Sequence, residues 1–149
     1  MRNVSQEHPA SDLVGTFQSL WLTEIPSGHS QKLCDYVGMA AVAWANNDYI
    51  MVTQYVGKKT SRLLLFPVAH LEDALLIDEH ALIPLVPPEL RPALRENDHV
   101  FIEGSRVEHD ILYVSVWGYG QHDKNGFRWH CEYALSQHSI ACTEMRASH

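Results

Sequence analysis

Residues 99–135, HVFIEGSRVEHDILYVSVWGYGQHDKNGFRWHCEYAL, constrain the fold more than any other part of the chain. From Phe127 to Leu135, apolar residues at 127, 129, 131, 133 and 135 alternate with Arg128, His130, Glu132 and Ala134. Such alternation marks a strand with one buried face. Upstream, Ile111, Tyr113, Ser115, Trp117 and Tyr119 share one face of a second segment, and Leu112, Val114, Val116, Gly118 and Gly120 share the other. Turn signals at Glu108-His109-Asp110 and Asp123-Lys124-Asn125-Gly126 divide the stretch into a three-stranded meander.

Register is argued by matching faces. A two-residue Asn125-Gly126 turn sets Phe127 opposite Lys124 and Trp129 opposite His122, aromatic against polar. A three-residue loop over 124–126, with Gly126 left-handed, sets Tyr119 opposite Cys131 and Trp117 opposite Tyr133, so the longer loop is expected. A loop at 108–110 sets Val107 against Ile111 and Phe101 against Trp117. The core face predicted in this way carries Phe101, Ile111, Tyr113, Trp117, Tyr119, Phe127, Trp129 and Tyr133. On the other face His122 lies opposite Arg128, Gly120 opposite His130, and Gly118 opposite Glu132. Glycines inside a strand leave bare backbone, which suits close approach by a ligand or another chain. Gly118, Gly120, Tyr119, His122 and Arg128 are therefore the predicted binding patch.

The rest of the chain is read more coarsely. Its 149 residues suffice for a single domain over 1–149 with a sizeable core. Residues 1–10 are polar and read as a disordered tail, and 136–149 as a peripheral C-terminal tail. Ser11 caps a predicted helix that places Leu13, Val14, Phe17, Leu20 and Trp21 on one face, with a strand over 14–22 as the competing reading. Residues 34–45 are apolar on both faces and read as a buried strand or short helix. Asn46-Asn47-Asp48 is a turn, 49–56 a strand, 57–61 a turn and 62–66 a strand. Residues 68–83 fit either a helix or a hairpin. Four prolines (84, 87, 88 and 92) make a rigid connector around a short helix near 89–95. The predicted fold class is mainly β (α+β). Antiparallel meanders would form one sheet, a small barrel or a sandwich, with one or two covering helices.

Charge and cysteine content limit function. Lys+Arg 11 against Asp+Glu 18 gives −7, which argues against a nucleic-acid binder. Lys58, Lys59 and Arg62, the one basic cluster, fall in a turn. Ten histidines would carry the net charge from −7 to +3 if all were protonated, but five of them sit beside acids and read as surface turn residues. Three cysteines without a Cys-x-x-Cys argue against a secreted disulfide scaffold, and Cys131 is expected to be an inert core thiol. The first residues lack the apolar core of a signal peptide, and no apolar run is long enough to span a bilayer, so a cytoplasmic protein is expected.

Chemical motifs are scarce. The chain has no phosphate-cradling glycine loop, no Gly-x-Ser-x-Gly elbow, no His-Glu-x-x-His and no EF-hand loop. His122, His130 and Glu132, joined by His138 and Cys142, were they to converge, would offer zinc ligands. His130 and Glu132 lie roughly 7 Å apart along a strand, however, and solvated strand faces often carry such residues. His130 as a general base oriented by Glu132, with Arg128 holding an anion, is the catalytic candidate. A cross-strand ion-pair ladder worth little energy explains the same residues and is preferred. No cofactor and no metal are expected. The reading reached is a small acidic binding protein, of inhibitor, immunity or adaptor type. It would engage a protein partner, itself basic. A separate reading is an assembly role, as a subunit or a homodimer joined through a sheet edge or the glycine patch. The alternative is a small β-barrel enzyme or small-molecule binder using the His/Glu/Tyr patch.

Overall fold

The computed structural model describes residues 3–6, 17–120 and 125–145. Their strands are β1 (Asn3–Gln6), β2 (Phe17–Thr23), β3 (Ser30–Tyr36), β4 (Ala40–Trp44), β5 (Tyr49–Val56), β6 (Thr60–Pro67), β7 (Leu75–Ile77), β8 (His99–Glu108), β9 (Ile111–Tyr119), β10 (Phe127–Ala134) and β11 (Ser139–Glu144). Two short helices, α1 (Glu79–Leu82) and α2 (Arg91–Glu96), lie between β7 and β8. The protein is mainly β, as its patterning predicts. A three-stranded sheet has the order β1-β2-β3. An eight-stranded sheet has the order β11-β10-β9-β8-β6-β5-β4, with β7 also on β6. Pairing is antiparallel except at one β6–β8 junction, Thr60↔Val100. The larger sheet does not close into a barrel, so β4 and β11 are its edges.

Two apolar clusters explain this arrangement. One unites Met51, Leu63 and Leu65 with Val100, Ile102, Leu112, Val114, Val116, Trp129 and Tyr133, and draws in Leu82, Val86 and Leu94 from the helical connector. The other packs Leu20 and Tyr36 of the small sheet against Ile50, Val52 and Phe66. β5 and β6 are thus covered on both faces, and this is why IMV and LLLF read as unbroken apolar runs. At the sparse β6–β8 junction, buried Ser61 accepts from Ile102 N–H at 2.8 Å and its Oγ donates to Ile102 O at 3.2 Å. Buried Gln54 joins the two sheets. Its Nε2 donates to Asp35 O at 2.9 Å, and its Oε1 accepts from Arg62 Nε at 2.6 Å.

Several expectations are corrected. Phe17–Thr23 is a strand, so the competing strand reading holds for these residues; the helix start at Ser11 lies outside the described residues. Asn3–Gln6 pairs with β2 rather than trailing as a tail. The apolar stretch 34–45 is interrupted at Gly38, whose φ of 75° turns the chain from the small sheet into the large one. Residues 68–83 form neither one helix nor a hairpin. They make a 3-10 turn at Leu71–Asp73, then β7, then α1 capped by Asp78, whose side chain accepts from Ala81 N–H. Residues 139–144 are not peripheral, because β11 pairs with β10 along six residue pairs, Trp129↔Glu144 to Ala134↔Ser139. Cys142 on β11 is bonded to Cys131 on β10, so Cys131 is buried as expected but is not a thiol.

The central correction concerns the meander. β9 and β10 pair Phe127↔Gly118, Trp129↔Val116, Cys131↔Val114 and Tyr133↔Leu112. The connection therefore spans residues 119–126, and neither the two-residue nor the three-residue turn forms. The offset between expected and observed pairings is odd, so the two faces of β9 exchange. Leu112, Val114 and Val116 enter the core with Trp129 and Tyr133, whereas Tyr113, Trp117 and Tyr119 face outward. The β8–β9 turn is likewise shorter than expected, a two-residue turn with His109 at φ 49° and Asp110 at φ 66°. A register shift between Gly104 and Arg106 then restores the expected Phe101↔Trp117 pair.

Candidate functional site

The outward face of β8, β9 and β10 is the candidate site. Pairing across β8 and β9 aligns His99 with Tyr119, Phe101 with Trp117, and Arg106 with Tyr113. Pairing across β9 and β10 aligns Trp117 with Arg128, Ser115 with His130, and Tyr113 with Glu132. Aromatic residues opposite one another on a twisted ladder stack. The Phe101 and Trp117 ring centroids lie 4.1 Å apart, and those of His99 and Tyr119 4.5 Å apart. Tyr113 stacks on His130 at 6.0 Å, and the Arg106 guanidinium lies 4.4 Å from the Tyr113 ring centroid. Arg106 also pairs with Glu108 at 3.4 Å.

His99, Tyr119, Phe101 and Trp117 form one stacked row, the Tyr113–His130 pair lies beyond Ser115, and charges of both signs border the two. Tyr119 is 40% exposed, and Arg106, Arg128 and Glu132 are exposed. The pairs place one ring face against another across β8 and β9. A shallow cavity of about 300 Å³ at the end of the row is lined by Trp117, Gly118, Tyr119, Asn125, Phe127 and Arg128.

Of the residues singled out from the sequence, Tyr119, Arg128, His130 and Glu132 come together on this face. Gly118 does not belong with them. It is buried on the core side, where a Cβ would lie 2.6 Å from His99 O and 2.6 Å from the Phe127 ring. Gly120 follows the end of β9, near Glu96 O, and is not opposite His130. His122 lies outside the described residues. The glycines thus accommodate the protein's own Phe127 ring and backbone rather than leaving a bare patch. His130 and Glu132 share a face, but among the described residues no hydrogen bond or ion pair joins them. Cys142 lies on the opposite, core side, bonded to Cys131, and His138 sits 3.5 Å from the Tyr133 hydroxyl. Phe101, Trp117, Tyr113 and His99 are site residues that the sequence reading assigned to the core or passed over. The signal was present in β8: Val100 and Ile102 form an aliphatic face, and the Phe101 face carries His99 and Glu103.

One further polar group is exposed at a different place. The ligand atoms of His70, Glu72 and Asp73 lie within 4.8 Å of one another, and His70 pairs with Glu72 at 3.5 Å. No family model, curated protein or solved structure matches the chain.

Proposed function

We propose that this chain is a non-catalytic binding protein that engages a protein partner through the outward face of β8, β9 and β10. The observation that carries this reading is the stacked row His99/Tyr119 and Phe101/Trp117, set among Arg106, Arg128 and Glu132 on neighbouring strands of one sheet. Tyr, Trp and Arg dominate binding energy at protein interfaces, and rings already ordered by stacking lose little conformational freedom on binding. The net charge of −7 favours fast encounter with a basic partner, as an inhibitor, immunity-type protein or adaptor requires. A cytoplasmic location is part of the same reading. There the Cys131–Cys142 pair would be held reduced, whereas an oxidising compartment would preserve the bond, so a thiol count on protein from its host decides the location.

Affinity purification from the native host, followed by mass spectrometry, tests the reading. The bait is compared with a Tyr119→Ala/Arg128→Glu variant and with Gln31→Ala, an exposed position on β3 of the small sheet. A stoichiometric protein should co-elute with the wild type and with Gln31→Ala, and be retained at least about tenfold more weakly by the double variant, equivalent to about 1.4 kcal/mol. A partner bound equally by all three baits, or no partner at low salt, contradicts the reading.

A further inference from the structure

β4 is one edge of the eight-stranded sheet, and its inner neighbour is β5, paired from Ala40↔Gln54 to Trp44↔Ile50. Two bonds set the phase of that ladder: Tyr55 N–H donates to Met39 O at 3.1 Å, and Ala45 N–H donates to Tyr49 O at 2.9 Å. In an antiparallel pair, hydrogen-bonded and non-hydrogen-bonded positions alternate. The odd-numbered residues of β4 therefore bond to β5, and Ala40, Val42 and Trp44 direct their N–H and C=O groups away from the sheet. Among the described residues no strand takes up that row.

Exposed edges are ordinarily protected by lysine, proline, a bulge or inward-pointing charge. β4 has none of these. Residues 36–47, YVGMAAVAWANN, contain no charged residue and no proline, and the β4–β5 register runs without a shift. Met39 and Trp44, at the two ends of the strand, are 72% and 58% exposed. The other edge, β11, differs in carrying exposed Ser139, Thr143 and Glu144.

We infer that β4 pairs antiparallel with β4 of a second copy of this chain, about a two-fold axis at Val42. This register uses all three outward-directed residues. Val42 faces its own equivalent, and Ala40 of each copy faces Trp44 of the other, giving about six hydrogen bonds from three narrow pairs. It sets each indole beside the smallest side chain and keeps the two tryptophans apart. Residues 36–47 carry no charge, so no like charges oppose each other along the paired strands. The contact is isologous and closes at two copies, joining both large sheets into one. It leaves the outward face of β8, β9 and β10 untouched, so it stands independently of the proposed function.

Sedimentation of the full chain tests the pairing. The wild type should sediment as a dimer. Ala41 and Ala43 are exposed, bond to β5 through their backbones, and face each other across the proposed axis. Ala41→Lys/Ala43→Lys should therefore yield a monomer with unchanged circular dichroism, as should Ala41→Glu/Ala43→Glu. An equimolar mixture of the two variants should restore the dimer. A wild type that stays monomeric up to about 0.1 mM overturns the inference. So does a lysine variant that remains dimeric, or a pair of folded variants whose mixture stays monomeric.

Discussion

Gly118 shows how a single residue misleads when only its sequence is known. A glycine in a strand suggests open space, yet here the Phe127 ring and the His99 carbonyl fill the volume a side chain would need. Gly118→Ala should therefore destabilise the fold by about 1–3 kcal/mol, the usual cost of overpacking, measured by urea unfolding. A neutral substitution would mean that the Phe127 ring lies elsewhere. Cys34 offers a second residue-level test. Burial is the largest influence on its thiol and raises its pKa from 9.0 to about 11, with the neighbouring Asp35 carboxylate acting in the same direction and the Gln54 hydrogen bond against it. The folded protein holds this proton more tightly than the unfolded chain does. The associated stability is complete below about pH 9 and is lost as pH rises toward 11. Alkylation of Cys34 should be slow at pH 8 and accelerate only above pH 10, which a mass-spectrometric time course would show; rapid labelling at pH 8 would place the thiol in solvent. Nothing in the residues flanking Cys34 discloses this, because the burial depends on partners such as Gln54, twenty positions away.

At the scale of elements, strand positions were far easier to read than strand register. β5 begins and ends where the turn residues of 46–48 and 57–61 place it, and β8 begins at His99, the first residue of the constraining stretch. The β9–β10 register was not legible because both faces of β9 are apolar. Matching one face with β10 leaves two solutions of opposite parity, and an Asn-Gly pair suggests a tight turn that the chain does not make. Aliphatic Leu112, Val114 and Val116 complete a core already supplied by Val100 and Ile102. Aromatic residues with polar tips stay outside. The two tryptophans separate these alternatives energetically. Trp129 is 1% exposed, so Trp129→Ala should cost about 3–5 kcal/mol, whereas Trp117→Ala on the outer face should cost about 1 kcal/mol, by thermal or urea unfolding. Equal losses would contradict the register. β11 provides a further test, since the Cys131–Cys142 bond closes a segment with a sequence separation of 11. Against the oxidised protein, replacing both cysteines by serine should lower stability by about 3 kcal/mol and selectively remove amide-exchange protection from 139–144. Loss of protection spread evenly over the sheet would argue against a local clasp.

For the whole molecule, a mainly β, antiparallel architecture was legible from alternation alone, whereas the division into two sheets was not. Stacking of the small sheet on β4, β5 and β6 rests on long-range contacts such as Leu20 with Ile50 and Val52. A local pattern shows that β5 is apolar on both faces but not what covers each one. The candidate site was legible in part. Arg128, His130 and Glu132 were identified from alternation, and Tyr119 was named with the patch although alternation put it on the core face; the glycines expected beneath them belong to the core side or lie beyond the strand end. The proposed protein partner rests on stacked rings, of which sequence reasoning had placed Phe101, Trp117 and Tyr119 inside. The functional account therefore depends on which face of the meander meets solvent. Attenuation of side-chain NMR signals by a soluble paramagnetic probe reads this directly. Trp117, Tyr119 and Tyr113 should be strongly attenuated and Trp129, Tyr133 and Val114 protected; protection of Trp117 equal to that of Trp129 would contradict the account.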